Sequence, residues 1–194
     1  MYIRTLDLHN LLKKKSFFLF GPRSTGKSTL IASQLKTAKV FDLLDSNVFR
    51  RLLKNPALIE EEAINPEQII VIDEIQKLPG LLDEVHRLIF KKNLRFLLTG
   101  SSARKLKKGS ANLLAGRAWQ AELFPLTSQE IPNFNLIQYL NHGGLPQIYE
   151  SSDAKEELNS YVNMYLREEI QAEAVTPNVA AFAEFLDLIA LSNG

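Results

Sequence analysis

Gly21-Pro22-Arg23-Ser24-Thr25-Gly26-Lys27-Ser28 follows the apolar run Phe17-Phe18-Leu19-Phe20 and opens a stretch in which Leu30, Ile31 and Leu35 recur at helical spacing. A buried strand, a loop bounded by glycines, then Lys-Ser at the start of a helix is the context that the pattern G-x-x-x-x-G-K-[ST] requires. Glycines let backbone N–H groups converge on phosphate oxygens, and a helix N-terminus adds positive potential. In that frame Lys27 reaches the β and γ phosphates, and the Ser28 hydroxyl suits Mg²⁺. The expected nucleotide contacts are Gly21, Pro22, Arg23, Ser24, Thr25, Gly26, Lys27, Ser28 and the adjoining Thr29.

Outward from this loop the same alternation continues. Residues from Arg4 to Lys15 have near-helical apolar spacing and lead into a strand over Ser16 to Phe20. Further strands are expected over Val40 to Leu44, Ile69 to Ile72 and Arg95 to Thr99, with a fifth within Trp119 to Phe124. Helical stretches at Lys27 to Leu35, Asn47 to Leu53, Pro56 to Ala63 and Leu81 to Phe90 separate them. Strands alternating with helices predict an α/β fold, a parallel sheet covered on both faces, because parallel neighbours need crossover connections. Beyond Pro125 strand signals fade and helical periodicity takes over. The expected organisation is therefore a P-loop core over residues 1–126 and a helical lid over 127–194.

Composition narrows the function classes. With 23 Lys+Arg against 22 Asp+Glu the net charge is +1, so no whole-chain field selects nucleic acid or an acidic partner. The absence of cysteine removes disulfides, thiolate metal sites and cysteine nucleophiles. Apolar runs stop at about half of the roughly 20 residues that span a bilayer. The reading is of a soluble, cytoplasmic chain with no membrane partner.

Four further features bear on chemistry. Ile69-Ile70-Val71-Ile72 delivers Asp73-Glu74 at the C-terminal edge of its strand, where open α/β sheets bind ligands. Asp73 suits anchoring of Mg²⁺, and Glu74 suits the base that orients water toward a γ-phosphate. Phe96-Leu97-Leu98-Thr99-Gly100-Ser101-Ser102 ends a strand with hydroxyls suited to sensing that phosphate, Thr99 ahead of Ser101. Arg117, just before the fifth strand, suits either a finger inserted into a neighbouring subunit's site or an ion pair within its own chain. The basic cluster Arg104, Lys105, Lys107 and Lys108 suits a solvated loop more than a nucleic-acid contact. His9, His86 and His142 have no metal-ligand spacing.

These blocks occur in series with others: Ile72-Asp73-Glu74-Ile75-Gln76-Lys77-Leu78-Pro79, Leu98-Thr99-Gly100-Ser101-Ser102-Ala103-Arg104-Lys105-Leu106, Leu113-Leu114-Ala115-Gly116-Arg117-Ala118 and Gly143-Gly144-Leu145-Pro146. Over roughly Tyr2 to Glu150 the chain closely resembles the prokaryotic AAA-type ATPases of the AAA_14 family, which usually carry a DUF4143 region at the C-terminus. The resemblance implies an ASCE-type sheet of strand order 5-1-4-3-2 with a helical lid. It also implies that Gly144 to Pro146 acts like a Gly-x-Pro element, with Pro146 touching the nucleotide. Family members run on into winged-helix and nuclease-like parts, so the sequence reads as a fragment. Its last helix, with Val179, Phe182, Phe185, Leu186 and Ile189 apolar, needs a covering surface.

The expected activity is Mg²⁺-dependent ATP hydrolysis, by Lys27, Glu74, Thr99 and Arg117 as catalytic residues with Ser28 and Asp73 on the metal. It is expected to move a C-terminal effector region, in a chain that can form homo-oligomers and meets nucleic acid or protein through that region. The competing reading is a switch that holds ATP or ADP, turns over rarely and regulates a DNA-binding or defence-related partner. Adenine is preferred because no Asn-Lys-x-Asp segment of the GTPase kind is present. A small-molecule kinase fits less well, since no arginine-rich lid segment is recognisable.

Overall fold

Phe17, Phe18, Leu19 and Phe20 are apolar on both sides of their strand, so neither face can be left to water. In the computed structural model of the chain all four are buried. The structure describes residues 2–63, 65, 67–101, 114, 116–165 and 179–192. The strands are β1 Ser16–Phe20, β2 Lys39–Asp42, β3 Ile69–Asp73, β4 Arg95–Gly100 and β5 Ala118–Glu122. They form one five-stranded parallel sheet in the order β5-β1-β4-β3-β2, the order that the resemblance implied.

Successive side chains of a strand point to opposite faces, and this period sorts the core into two layers. On one face Phe17, Leu19, Val71 and Leu97 pack with Leu8 and Leu12 of helix α1 (Leu8–Lys14) and with Leu30 and Ile31 of α2 (Lys27–Gln34). On the other, Phe18, Phe20, Ile70, Ile72, Phe96 and Leu98 pack with Leu52 of α3 (Ser46–Lys54) and Ile59 of α4 (Leu58–Glu61). Leu81, Leu82, Val85 and Leu88 of α5 (Leu81–Lys92) complete that layer. A short 3-10 turn, Ile75–Lys77, leaves the end of β3. Burial of each such side chain stabilises the fold by about 1.5–3 kcal/mol.

The local caps explain where the elements begin. Helix α1 starts at Leu8 rather than near Arg4, because the Asp7 side chain accepts from the Asn10 N–H at 2.9 Å and ends the extended segment before it. Gln34 fastens α1 to α2, accepting from the Leu8 N–H at 2.8 Å and donating to the Leu6 carbonyl at 2.9 Å. His9 contacts the Gln34 carbonyl. Asp45 caps α3 through the N–H groups of Asn47 and Val48.

The chain divides into two compact units, Met1–Phe134 and Asn135–Gly194. In the second, α6 (Leu136–His142), α7 (Pro146–Tyr149), α8 (Ala154–Tyr165) and α9 (Val179–Ser192) are the described elements. Leu145, Ile148 and Ala154 form its small core. Gln138 Nε2 donates to the Tyr149 carbonyl at 2.9 Å, and His142 Nδ1 lies 3.1 Å from the same oxygen, which ties α6 to the end of α7. Among the described residues, no helix is long and apolar enough to cross a membrane.

Phe96, with no exposed surface near the start of the central strand β4, is the sharpest test of this packing. Phe96→Ala is expected to lower the unfolding free energy by about 3–5 kcal/mol. Trp119→Ala, on the edge strand and 44% exposed, should cost clearly less. Denaturant titrations followed by circular dichroism check the order.

Candidate functional site

The loop from Gly21 to Gly26 joins the buried end of β1 to the first turn of α2. Gly21 is required there by close approach: a Cβ on it would sit 2.3 Å from the Leu123 carbonyl oxygen. The backbones meet because the Leu123 N–H donates to the Phe20 carbonyl at 2.8 Å. Gly26, at the helix N-cap, has φ +89°, a left-handed conformation that a side chain would resist. Thr25 is fully buried, and its Oγ1 donates to the Pro22 carbonyl at 2.9 Å. Lys27 is also buried, its Nζ donating to the carbonyls of Gly21 at 2.7 Å and Pro22 at 2.9 Å. Pro22, Arg23, Ser24, Ser28 and Thr29 are exposed along the outer side of this turn.

The carboxylates come from β3. Its last residue, Asp73, accepts from Ser28 Oγ through Oδ2 at 3.1 Å and from Thr99 Oγ1 through Oδ1. The Thr99 hydroxyl in turn accepts from the Glu74 N–H at 3.1 Å. Thr99 therefore joins both acidic residues while being wholly buried in β4. Glu74 turns sharply off the strand, with φ 60° and ψ 45°. Ser101 follows β4 directly and is half-buried. A serine hydroxyl beside a carboxylate oxygen is a hard-oxygen donor pair, the chemistry that Mg²⁺ prefers when phosphate and water supply its other ligands. Among the described residues, no group of three or more His, Cys, Asp or Glu that could hold a metal ion is found, at this site or elsewhere.

Two groups at the site gave no usable signal in the sequence. Arg4 spans three partners: Nη1 donates to the Thr25 carbonyl of the loop at 2.7 Å, Nη2 to the Phe124 carbonyl at 2.6 Å, and Nε to Glu130 Oε1 at 3.0 Å. Glu130 also accepts from the Thr5 N–H at 2.8 Å and from the Thr127 N–H at 3.0 Å. Burial works to raise the Glu130 carboxyl, but the backbone donors and the Arg4 guanidinium outweigh it and hold it at about 2. The partners lie 126 positions apart, so only the folded chain could reveal the pair. The second is Gln76, whose Nε2 donates to Glu74 Oε2. It was visible only as a letter in a family block.

Not every candidate converges. Arg117 precedes β5, whose Ala118 is level with Ser16 at the start of β1. The loop at Gly21 lies beyond the other end of that strand, roughly 15 Å away at about 3.3 Å per residue. Within one chain Arg117 is thus remote from the carboxylates, and its guanidinium lies 5.9 Å from the centre of the exposed Phe90 ring. Pro146 is the first residue of α7 in the second unit. Arg104, Lys105, Lys107 and Lys108 lie outside the described residues.

The profile of a family described as AAA domain, AAA_14, matches residues 13–132. The chain is 26% identical over 195 residues to MJ1544, an uncharacterized protein of Methanocaldococcus jannaschii, covering 85% of this chain and 44% of that one. It therefore spans less than half the length of this curated relative. Among solved structures, AMPPCP-bound DnaA from Aquifex aeolicus is similar at TM-score 0.49 and 12% identity, over 81% of this chain and 62% of that chain. Drosophila ORC bound to DNA is similar at TM-score 0.43 and 11% identity, over 66% and 89%.

The Arg4–Glu130 pair carries a stability signature. A carboxyl held at about 2 in the folded chain, against an ordinary 4.5, contributes stability that is present above about 4.5 and lost as pH falls toward 2. Wild type should therefore lose stability over that window faster than Glu130→Gln, in unfolding titrations at matched pH. At neutral pH Glu130→Ala, which strands the buried Arg4, should cost about 3–5 kcal/mol.

Proposed function

The chain belongs to the AAA domain family AAA_14, and from that premise we propose that its loop 21–28 binds ATP with Mg²⁺ and that Glu74 promotes hydrolysis of the terminal phosphoryl bond. One observation carries this reading: Ser28 Oγ and Asp73 Oδ2 meet at 3.1 Å although Ser28 lies in the first turn of α2, after β1, and Asp73 ends β3, two strands separated by β4. That meeting places a loop-and-helix start, suited to phosphate, beside a pair of carboxylates, suited to metal and water.

Each residue has a defined task in this proposal. The Lys27 ammonium exchanges the carbonyls of Gly21 and Pro22 for phosphate oxygens, and Gly21 to Thr29 form the cradle. Ser28 and Asp73 would hold Mg²⁺, which would supply Lewis-acid stabilisation of charge on the phosphates. Glu74 accepts a proton from water as the water oxygen bonds to the γ phosphorus and the β–γ bridging oxygen leaves with ADP. Thr99, bonded to Asp73 and Glu74, keeps the two in register, with Ser101 next to it. Arg117 serves from a second copy of the chain, since its own site is too far along the strand. The helical unit, with Pro146, acts as the lid, and the cycle moves an effector region that engages nucleic acid or protein. A cytoplasmic setting suits this chemistry.

Calorimetry and phosphate-release assays test the proposal. Lys27→Ala should weaken ATP binding by about 10- to 100-fold, the worth of hydrogen bonds to a charged group. Glu74→Gln should keep ATP affinity and lose about 100-fold or more of turnover. Binding with no phosphate release in any assembly state would replace the hydrolase with an occupancy switch.

For Arg117, turnover per chain should rise with protein concentration. Mixing Arg117→Ala with Glu74→Gln should restore part of the lost activity, since some paired sites then hold an intact base and an intact arginine. No recovery on mixing removes Arg117 from the neighbour's site.

A further inference from the structure

Glu74 is held at both ends by groups that are not themselves acidic. Its N–H donates to Thr99 Oγ1 at 3.1 Å, which fixes the backbone where β3 ends. Its φ of 60° is one that non-glycine residues adopt rarely, so other contacts must hold it there. At the far end of the side chain, Gln76 Nε2 donates to Glu74 Oε2. Residues two apart on a regular helix do not face each other, and on a strand they stand about 6.6 Å apart along the same face. The left-handed turn at Glu74, followed by the 3-10 turn Ile75–Lys77, is what folds Gln76 back onto its neighbour.

The other half of the Gln76 amide is equally informative. Its Oε1 is buried and has no hydrogen-bond partner. It is lodged against Gly100, where an added Cβ would come within 2.7 Å of it. An amide flipped the other way would turn its oxygen toward the Glu74 carboxylate, two acceptors facing each other without a proton between them. The orientation that sacrifices Oε1 is the one in which Glu74 receives a donor. An orphaned buried oxygen is costly, and such exceptions gather where a site needs a particular geometry.

We infer that Gln76 is a positioning residue for Glu74: its carboxamide pins one carboxylate oxygen and leaves Oε1 of Glu74 as the acceptor for the attacking water. This deepens the hydrolytic reading and rests on it. Gly100 belongs to the same device, because a side chain there would expel the amide from its seat.

The test uses the whole chain with three substitutions beside Glu74→Gln. Gln76→Met keeps the length and volume without a donor. Gln76→Glu keeps the shape but faces Glu74 with oxygens alone. Glu74→Ala removes the acceptor. In nucleotide-free protein, the side-chain amide resonances of Gln76, assigned by their loss in Gln76→Met, should shift and exchange faster with solvent in Glu74→Ala. Resonances unchanged in Glu74→Ala would overturn the inference without reference to activity.

In steady-state phosphate release, Gln76→Met should lower kcat about 10- to 100-fold, the worth of one hydrogen bond to a charged group. KM and ATP affinity should stay within about 3-fold, far less than the kcat effect. Gln76→Glu should be slower than Gln76→Met, the reverse of the order that mere shape-filling gives. Phosphate release that Glu74→Gln abolishes and Gln76→Met leaves intact would overturn this inference alone. No release by wild type would overturn the hydrolytic reading and this role together.

Discussion

The placement of β4 between β1 and β3 is the constraint from which the site follows. In a simple series β2 would lie between the loop after β1 and the carboxylate that ends β3; here β4 takes that place and β2 lies at the edge of the sheet. The carboxyl edge at such a crossing of strand order is where open α/β sheets bind ligands. Thr99, near the end of β4, is wholly buried and bonded to Asp73. The parallel register sets Leu19 of β1 level with Thr99 and Ile72 of β3 level with Leu98, so Asp73 arrives beside the threonine hydroxyl. Ser28 then closes the circuit from the first turn of α2. A one-residue slip in either pairing would turn these side chains to the opposite face and bury apolar ones in their place. The apolar core and the polar site thus enforce the same register.

Most of this was readable because it is local. Three apolar runs ended by glycine or acidic residues state β1, β3 and β4, and the alternation of strand with helix supplies the weaker β2 and β5. The loop from Gly21 to Ser28 states its own chemistry. The boundaries moved where a side chain did something that periodicity cannot express. Arg4 looks like a helix residue by spacing, yet it is extended because its guanidinium is committed to the carbonyls of Thr25 and Phe124. Thr99 reads as a phosphate sensor from its place after an apolar strand, and the structure gives it a task between two acidic neighbours. Glu130 reads as an ordinary acidic residue before Ile131. Its depressed carboxyl and full set of donors exist only once residues far apart in sequence have met.

The Arg4–Glu130 pair also changes how the loop is understood. The loop from Gly21 to Gly26 gains rigidity from its glycine turns, but its backbone carbonyls need partners as well. Lys27 serves those of Gly21 and Pro22, and Arg4 serves that of Thr25. The extended segment before α1 and the segment after β5 are fastened together through the same guanidinium. The loop is thereby braced from outside the βαβ unit, by groups that no motif contains. Arg117 illustrates the converse. Its motif is legible, but the sheet puts it at the far end of the strands, so any role at a phosphate has to be played in another copy of the chain.

Glu74 shows how backbone geometry can carry chemical information. Had β3 continued as an extended strand, successive side chains would point to opposite faces, and Glu74 would point away from Asp73. The left-handed turn at Glu74 breaks that alternation, with its N–H donating to Thr99 Oγ1 and its carboxylate accepting from Gln76 Nε2. Glycine would make the same turn more easily, but it would bring no carboxylate. The sequence therefore places a side chain where the backbone resists one, and surrounds it with a hydroxyl, an amide and a glycine that hold the turn in place. A solvated loop start needs none of those supports. Their concentration around a single residue argues that the position of Glu74, and not only its charge, is what this part of the fold is built to maintain.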